Sequence, residues 1–364
     1  MTIRNPVPHI AKPAASLWVG TYAGGGGEGL CPLVRDADGW AVGVPEPGIN
    51  NASFGTYAAR FDLHYIVDER SDAIGVWRWS GAQWDCLARV PAGGGAPCHV
   101  ALDRTQSCLA IANYMSGSVA FFRLDPASGL PTGAPVVHDA TGSGPNAERQ
   151  QSPHAHWVGF ALDNDWLYAT DLGADVVRAF AFEAETGVLD APITAFVAPP
   201  GSGPRHLLLH PRHPRTAYLA CELTNLLIVL DVEGPALQAR TTLSTLSDTA
   251  TGDSIVAHIA ANAAGDRLYV SNRGDDSIAV FALDVAGDAV LLQHVASGGA
   301  SPRFFRLVED ERMMVVAHER DHRVTRLAIR PDGTLAPSGS GVSVPGAAYI
   351  LDAHPRTRVD VPAG

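Results

Sequence analysis

The chain lacks the features that define several common classes of protein. None of its segments approaches the ~18 uninterrupted apolar residues of a membrane-spanning helix, and its N-terminus, MTIRNPVPHIAKPAAS, has no apolar core of signal-peptide length. No C-x-x-C pair occurs, and the odd, scattered set of cysteines argues against a disulfide framework and a structural zinc site: Cys31, Cys86, Cys98, Cys108 and Cys221. We therefore expect a cytoplasmic protein with no membrane partner.

Basic residues are in the minority and form no run. The 26 Lys and Arg residues stand against 38 Asp and Glu, which gives a net charge of −12. So acidic a protein repels phosphate backbones at long range, and we expect no nucleic-acid partner. With 46% hydrophobic and 18% charged residues the composition is globular, and its 37 glycines and 26 prolines favour turns and short strands.

Familiar catalytic signatures are missing as well. There is no G-x-S-x-G motif of a serine hydrolase, and the glycine-rich AGGGGEG at 23–29 is not followed by the Lys-Ser or Lys-Thr of a phosphate-binding loop. Cys98 and His99 resemble a nucleophile and its base. Because neighbouring residues of a regular strand point to opposite faces, we expect no hydrogen bond between them.

One pattern occurs seven times along the chain. The clearest copy is DRLYVSNRGDDSIAVFAL, residues 266–283, where a short apolar run, a polar turn and a second alternating run predict a hairpin of two strands. The equivalent residues of the seven copies are Tyr22, Glu69, Tyr114, Leu172, Glu222, Arg273 and Glu319. Their separations of 47, 45, 58, 50, 51 and 46 residues are typical of a propeller blade of four strands.

The predicted fold is all-β: a seven-bladed β-propeller with four antiparallel strands in each blade. We expect residues 1–364 to form a single domain of this kind with almost no helix, preceded by a loosely ordered N-terminal extension at 1–14. Closure of the ring should pair a strand from one terminus with strands from the other, since a gap would leave sheet edges open. The longest separation between copies contains TGSGPNAERQQ, residues 141–151, which should form a loop over one face.

Short segments ahead of the hairpins, such as PHAHWVGF from Pro153, would supply the innermost strands of the blades. The first residues of these strands would gather at one mouth of the central channel. Many of them are titratable or basic: His99, His154, His156, Arg205, His206, His258 and Arg303. Packing between blades would favour apolar side chains near a closed axis, so this concentration of polar groups indicates function.

The same segments carry a family resemblance. PHAH (153–156), GSGPRH (201–206) and SNRGDDSIAVF (271–281) occur in order with VGTY (19–22), VDE (67–69), PCHV (97–100), ANYMSGSV (112–119), DLGAD (171–175) and CELT (221–224). In these motifs the chain resembles the lactonase family of seven-bladed β-propellers, whose best-known members are 6-phosphogluconolactonases. The departures AGGGGEG and NASFG (51–55) are expected to affect ring closure more than the cleft.

The resemblance implies metal-independent hydrolysis of a lactone with no cofactor, most specifically the opening of 6-phosphoglucono-1,5-lactone in the pentose phosphate pathway. Three alternatives stay open: an unphosphorylated sugar lactone as substrate, a carboxymuconate-lactonising cycloisomerase on the same propeller, and a propeller that serves only protein interactions. The polar channel mouth counts against the last of these. We expect a monomer or a weak homodimer.

Residue roles follow from the chemistry of opening an ester, which needs a base to activate water and donors to stabilise the oxyanion. We predict that Glu222, assisted by His154 or His156, is the base, and that Arg205 and Arg273 hold the oxyanion or an anionic end of the substrate. Further substrate-binding candidates are His206, Glu69, His99, Asn113, His258, Arg303 and Glu319. Two of these, Glu69 and Glu319, share the register of Glu222 and could take its role.

The histidine pair His154 and His156 has two other interpretations. The two side chains could be structural hydrogen-bonding groups, or they could be part of a metal site completed by Glu222 or His206. The nearby arginines would repel a cation, so the sequence favours proton transfer and substrate binding.

Overall fold

A computed structural model describes residues 17–36 and 39–354 of the chain. The predicted N-terminal extension at 1–14 therefore lies outside the described residues. The described part is all-β, with two 3₁₀ turns at Ala23–Gly25 and Glu309–Glu311. Seven antiparallel sheets form the blades of a ring, so the predicted seven-bladed propeller is confirmed.

The strands are short, as the many glycines and prolines predict. In chain order they are β1 (Leu17–Thr21), β2 (Cys31–Asp36), β3 (Gly39–Val42), β4 (Gly55–Ala58), β5 (Leu63–Asp68), β6 (Ala73–Trp79), β7 (Trp84–Pro91), β8 (Pro97–Leu102), β9 (Cys108–Asn113), β10 (Ser118–Leu124), β11 (Pro131–His138), β12 (Ala155–Phe160), β13 (Trp166–Asp171), β14 (Val176–Glu183), β15 (Val188–Leu189), β16 (Ile193–Val197), β17 (Pro204–Leu209), β18 (Thr216–Cys221), β19 (Leu226–Glu233), β20 (Ala236–Ser244), β21 (Ile255–Ala261), β22 (Arg267–Arg273), β23 (Ser277–Leu283), β24 (Ala289–Ala296), β25 (Pro302–Val308), β26 (Met313–His318), β27 (Arg323–Ile329), β28 (Leu335–Pro337), β29 (Val342–Ser343) and β30 (Ala347–Asp352).

The ring closes by joining the two ends of the chain. Blade I has the order β3-β2-β1-β30, so its innermost strand comes from the C-terminal part of the chain and its other strands from the N-terminal part. This arrangement confirms the predicted closure. Blades II to VII are β4–β7, β8–β11, β12–β16, β17–β20, β21–β24 and β25–β29, and in blades IV and VII the outer strand is split into two short pieces.

A tyrosine in the second strand of four blades ties each of these blades to the next. Tyr65, Tyr168, Tyr218 and Tyr269 are almost fully buried, and each hydroxyl donates to a glycine carbonyl in the outer turn of the following blade, at Gly129, Gly234, Gly287 and Gly333. The donor–acceptor distances run from 2.5 to 2.9 Å. Each buried hydroxyl is therefore satisfied while its ring fills the space between two sheets.

The innermost strands are bulged near their first residues. The pairing skips one residue between Pro97 and His99, and the same irregularity follows the first residue of β12, β17, β25 and β30. The skipped residues are Cys98, His156, Arg205, Arg303 and Ala348, and together they line a small cavity on the channel axis, which we call the axial cavity. A bulge thus turns two consecutive side chains toward the axis.

The residue after each bulge belongs to a ring of aromatic side chains, one from every blade. This aromatic collar consists of Tyr349, Phe54, His99, Trp157, His206, His258 and Phe304. Neighbouring centroids are as close as 3.9 Å (Phe54 and His99) and 4.1 Å (His258 and Phe304). Cys98 and His99 consequently both face the axis, contrary to the alternation assumed from the sequence, although the thiol contacts His156 rather than His99.

Buried histidines should make the fold sensitive to acid. Burial lowers the pKa of His64 and of His318 to about 4 and that of His258 to about 3. These groups stay neutral in the folded protein but take up protons in the unfolded chain below about pH 6.5. Their contribution to the free energy of unfolding is therefore fully present above that pH and is lost as pH falls toward 4. We predict that urea denaturation at pH 7.5, 6 and 5 gives a falling free energy of unfolding, by up to about 1.4 kcal/mol per pH unit for each such histidine.

A matched pair of variants tests the cause. His258→Phe keeps an aromatic ring in the collar, and Nδ1 of His258 has no hydrogen-bond partner among the described residues. The variant should reduce the dependence of the free energy of unfolding on pH by an amount that corresponds to about one proton. Leu292→Ala, at an exposed position without a titratable group, should leave the slope unchanged. Equal slopes for wild type and His258→Phe would contradict the prediction.

Candidate active site

A buried carboxylate surrounded by arginines lies at the mouth of the channel. Glu222 follows the last residue of β18, and its side chain is 2% exposed. Its Oε2 lies 2.7 Å from Nε of Arg205 and 2.9 Å from Nη2 of Arg273, while Oε1 accepts a hydrogen bond from Nη2 of Arg149 at 2.6 Å. One carboxylate thus serves three guanidinium groups, and we call these four residues the Glu222 cluster.

The electrostatics of the Glu222 cluster follow from burial and charge. Burial alone would raise the pKa of Glu222, but Arg273 and Arg205 outweigh it and hold this pKa well below its usual range. Burial lowers the pKa of Arg205 to about 10. Glu222 opposes this shift, whereas the neighbouring Arg273 and Arg303 add to it. Both groups are therefore charged at neutral pH, and Glu222 is a weak base.

Arg149 was not predicted from the sequence. It belongs to the loop at 141–151, which as expected extends over the face of the ring and here reaches from blade IV to Glu222 of blade V and to the hydroxyl of Tyr114, 3.3 Å away. The next residue holds the loop: Gln150 is fully buried and donates to Leu172 O at 2.9 Å and Asp175 Oδ1 at 2.7 Å. The basic residue in AERQQ was the available signal, but nothing in the repeat places it.

A second set of charged groups lies beside the cluster and is open to solvent. The Tyr22 hydroxyl donates to Oε2 of Glu69 at 2.6 Å, and Nη1 of Arg303 lies 3.3 Å from Oε2 of Glu319. The guanidinium of Arg303 also lies over the Tyr22 ring, 5.1 Å from its centroid. Glu319 is about one third exposed, at 34%.

Two cavities of about 430 Å³ each open at this mouth, and Glu319 lines both. The first is bounded by Tyr22, Glu69, Arg70 and Arg303, and the second by Arg273, Asp253 and Arg320. We call them the first and second mouth cavities. Gly24 and Gly25 of the AGGGGEG segment line the first, so this departure from the family motif lies in the cleft and not only at ring closure.

The two predicted catalytic histidines take different positions. His156 is buried under the cluster, with Nε2 3.8 Å from Oε2 of Glu222 and Nδ1 3.9 Å from Sγ of Cys98; burial and Arg205 lower its pKa well below the usual value. His154 stacks on the Tyr114 ring at 4.5 Å, and its Nδ1 lies 2.9 Å from the Tyr114 carbonyl oxygen. His154 therefore supports the mouth from behind Tyr114.

The remaining predicted residues are divided between the mouth and the interior. Glu69, Arg303 and Glu319 line the mouth cavities. His99, His206 and His258 belong to the aromatic collar, where burial lowers the pKa of each and leaves it neutral. Asn113 is fully buried at the end of β9 and donates to Ala92 O and Ser118 Oγ within its own part of the ring, so the structure does not bring it to the mouth.

No metal or membrane site emerges from the described residues. Between 17 and 354, apart from 37–38, no three His, Cys, Asp or Glu side chains are grouped so that they could hold a metal ion. Helices with the length and apolar character to cross a bilayer are likewise absent from these residues.

The family model described as "Lactonase, 7-bladed beta-propeller" matches residues 16–351. The chain belongs to this lactonase family. A 6-phosphogluconolactonase of Bacillus subtilis is 30% identical over 339 residues, covering 88% of this chain and 95% of the relative. Another protein of that name, from Formosa agariphila, is 30% identical over 240 residues, covering 64% and 66%. The solved structure of a periplasmic gluconolactonase from Pseudomonas aeruginosa superposes with a TM-score of 0.83 at 27% identity, covering 92% and 98% of the two chains.

Removal of the central carboxylate of this lactonase should destabilise the fold. Glu222→Gln leaves three arginines without their shared counter-ion, one of them fully buried, and we predict a loss of about 3–5 kcal/mol in the free energy of unfolding. Glu319→Gln is the matched control, since its carboxylate is partly exposed and has a single arginine partner, and it should cost no more than about 1 kcal/mol. Urea denaturation at pH 7.5 measures both, and equal losses in the two variants would contradict this account of the cluster.

Proposed function

We propose that the protein hydrolyses a sugar lactone that carries negative charge, with 6-phosphoglucono-1,5-lactone as the substrate. The charge of the mouth carries this proposal. Six arginines line the mouth cavities or contact Glu222, against four carboxylates, which leaves a local charge of +2 in a chain of net charge −12. They are Arg70, Arg149, Arg205, Arg273, Arg303 and Arg320, against Glu69, Glu222, Asp253 and Glu319. Positive charge concentrated in an acidic protein favours an anionic ligand at that place.

The dimensions and the relatives support the same proposal. Each mouth cavity, at about 430 Å³, is within the range of small-molecule sites, ~300–1,000 Å³. The relatives from Bacillus subtilis and Formosa agariphila are named 6-phosphogluconolactonases. A six-carbon lactone with one phosphate is a ligand of suitable size and charge.

For the general base we propose Glu319 in preference to Glu222. Glu222 accepts from three arginines and has a strongly lowered pKa, so it gains little by taking a proton from water. Glu69 is occupied by the Tyr22 hydroxyl. Glu319 lines both mouth cavities and has a single ion pair, with Arg303, which makes it the carboxylate best placed to hold and deprotonate a water molecule.

The oxyanion would be stabilised by Arg273 and Arg303. Arg273 is fixed by Glu222 and by the Val256 carbonyl oxygen at 3.0 Å, and its buried Nε has no partner among the described residues. Arg303 is fixed over Tyr22 and stands next to Glu319. Donors held in place before the reaction stabilise developing charge without the cost of reorganisation. Glu222, Arg149 and Arg205 then act as positioning residues.

We also propose that the reaction needs no metal ion, because the arginines of the mouth repel cations and guanidinium groups can stabilise the oxyanion in place of a Lewis acid. The proposed compartment is the cytoplasm. All five cysteines are free thiols, as in most proteins of reducing compartments.

Loss of the proposed base should reduce turnover without unfolding the protein. Glu319→Gln should lower kcat by about a hundredfold or more, the usual range for a general base. The assay follows lactone hydrolysis by enzyme dialysed against EDTA, with Glu69→Gln as the matched control because Glu69 lines the same first cavity. Near-normal turnover of Glu319→Gln, or a larger loss in Glu69→Gln, would move the base to Glu69. Activity that disappears on chelation and returns with a divalent metal would overturn the metal-independent mechanism.

Binding of the substrate's phosphate should depend on residues at the rim of the second mouth cavity. Arg320 is exposed there next to Arg273, so Arg320→Ala should raise KM for the phosphorylated lactone about tenfold or more and leave KM for glucono-1,5-lactone almost unchanged. Added salt should weaken the binding of the phosphorylated lactone only, because salt screens the attraction between its phosphate and the arginines. Arg104→Ala, at an exposed turn after β8, serves as the control.

If the wild-type enzyme shows no preference for the phosphorylated lactone, the proposed substrate is wrong and the neutral lactone is favoured. That candidate is favoured by the likeness to the Pseudomonas gluconolactonase. Assay of a carboxymuconate in the same panel tests the cycloisomerase, in which the same arginines would bind carboxylates.

A further inference from the structure

The axial cavity lies between the mouth and the aromatic collar and shares Arg303 with the first mouth cavity. Its volume is about 20 Å³, which holds one ligand of the size of a water molecule and excludes a sugar or a phosphate. Its polar lining is contributed by Ser53, Cys98, His156, Arg205 and Arg303. Rings of the collar, among them Phe54 and Phe304, complete its wall.

The side chains that line this cavity are rich in donors. The Ser53 hydroxyl is buried, on a residue 8% exposed, and has no hydrogen-bond partner among the described residues. Arg205 uses Nε for Glu222 and Nη1 for Ala257 O and His206 Nε2, which leaves Nη2 for another acceptor. No carboxylate belongs to the lining, and the edges of aromatic rings carry partial positive charge.

Positive charge around the cavity is incompletely balanced. The counter-ion of Arg205 is Glu222, which also serves Arg149 and Arg273. Arg303 is paired with Glu319, and Glu69 and Glu222 also stabilise its charge, so these three carboxylates serve four arginines in all. The two histidines of the lining, His156 and His206, are neutral imidazoles and add no charge. Buried charges require paired groups, and a ligand in the cavity can supply the missing one.

We propose that the axial cavity binds one small monovalent anion of the halide class, held by the Ser53 hydroxyl and the guanidinium groups of Arg205 and Arg303. The Ser53 hydroxyl can donate to an anion or hold a water molecule, and the two guanidinium groups at a lining without a carboxylate favour the anion. The bound anion links blades II, V and VII beneath the mouth, and it does not depend on which reaction the mouth catalyses. A ligand that binds only the folded protein stabilises it in proportion to its occupancy.

The test measures thermal unfolding of the full-length protein at constant ionic strength while sodium bromide or chloride replaces sodium methanesulfonate, whose anion is too large for the cavity. We expect Tm to rise and saturate with either halide. Ser53→Ala should raise the half-saturating bromide concentration about tenfold or more, the loss expected for one hydrogen bond to a charged group. Ser118→Ala, at a buried serine outside the cavity, should leave the half-saturating bromide concentration unchanged. A Tm that does not depend on halide would overturn the proposal.

Crystals grown in sodium bromide give a second readout that does not rely on any variant. An anomalous peak between Ser53, Arg205 and Arg303 is the expected result. Density there without anomalous signal would identify a water molecule and overturn the proposal. Bromide peaks confined to the protein surface would do the same, since they would show an adventitious ion only.

Discussion

The interaction on which the rest of the mouth depends is the sharing of one buried carboxylate by three arginines. Glu222 of blade V contacts Arg205 of its own blade, Arg273 of blade VI and Arg149 from the loop that leads into blade IV. Taking these charges out of water is costly, and a well-packed apolar group would often stabilise a fold as much. The cluster instead holds three guanidinium groups in fixed positions around one carboxylate, because each arginine is oriented by a partner that is itself buried.

The large features of the fold could be predicted because the sequence repeats the same hairpin pattern seven times. A hairpin pattern recurring every 45 to 58 residues required seven similar sheets, and the register of the repeat placed Glu222, Arg273, Glu69 and Glu319 at equivalent positions. The structure brings all four to the mouth. Because the period of the repeat sets the register, the equivalent positions do not depend on which side chain each blade carries there.

The finer placement could not be predicted because it depends on irregularities that the hydrophobic pattern does not show. Strict alternation put Cys98 and His99 on opposite faces, yet the bulge at Cys98 turns both to the axis. The same device places His206 in the collar, directly after Arg205. Arg149 has no counterpart in the other copies of the repeat, so only its tertiary contacts identify it. The collar itself has a usable signal: in five blades its ring is the third residue of the innermost strand.

The collar and the bulges together explain how one repeated position can carry different chemistry. Below the mouth the channel is filled by seven rings, so groups at the mouth have an apolar layer on one side and water on the other. Glutamate occurs at the same register position in three blades, but its surroundings differ: Glu222 has three arginines and is buried, Glu319 has one and is partly exposed, and Glu69 accepts from a tyrosine. Environments that differ in this way assign separate roles to identical side chains. In this propeller the neighbouring blades, rather than the repeat itself, make one glutamate a buried, permanent anion and leave another partly exposed at the mouth.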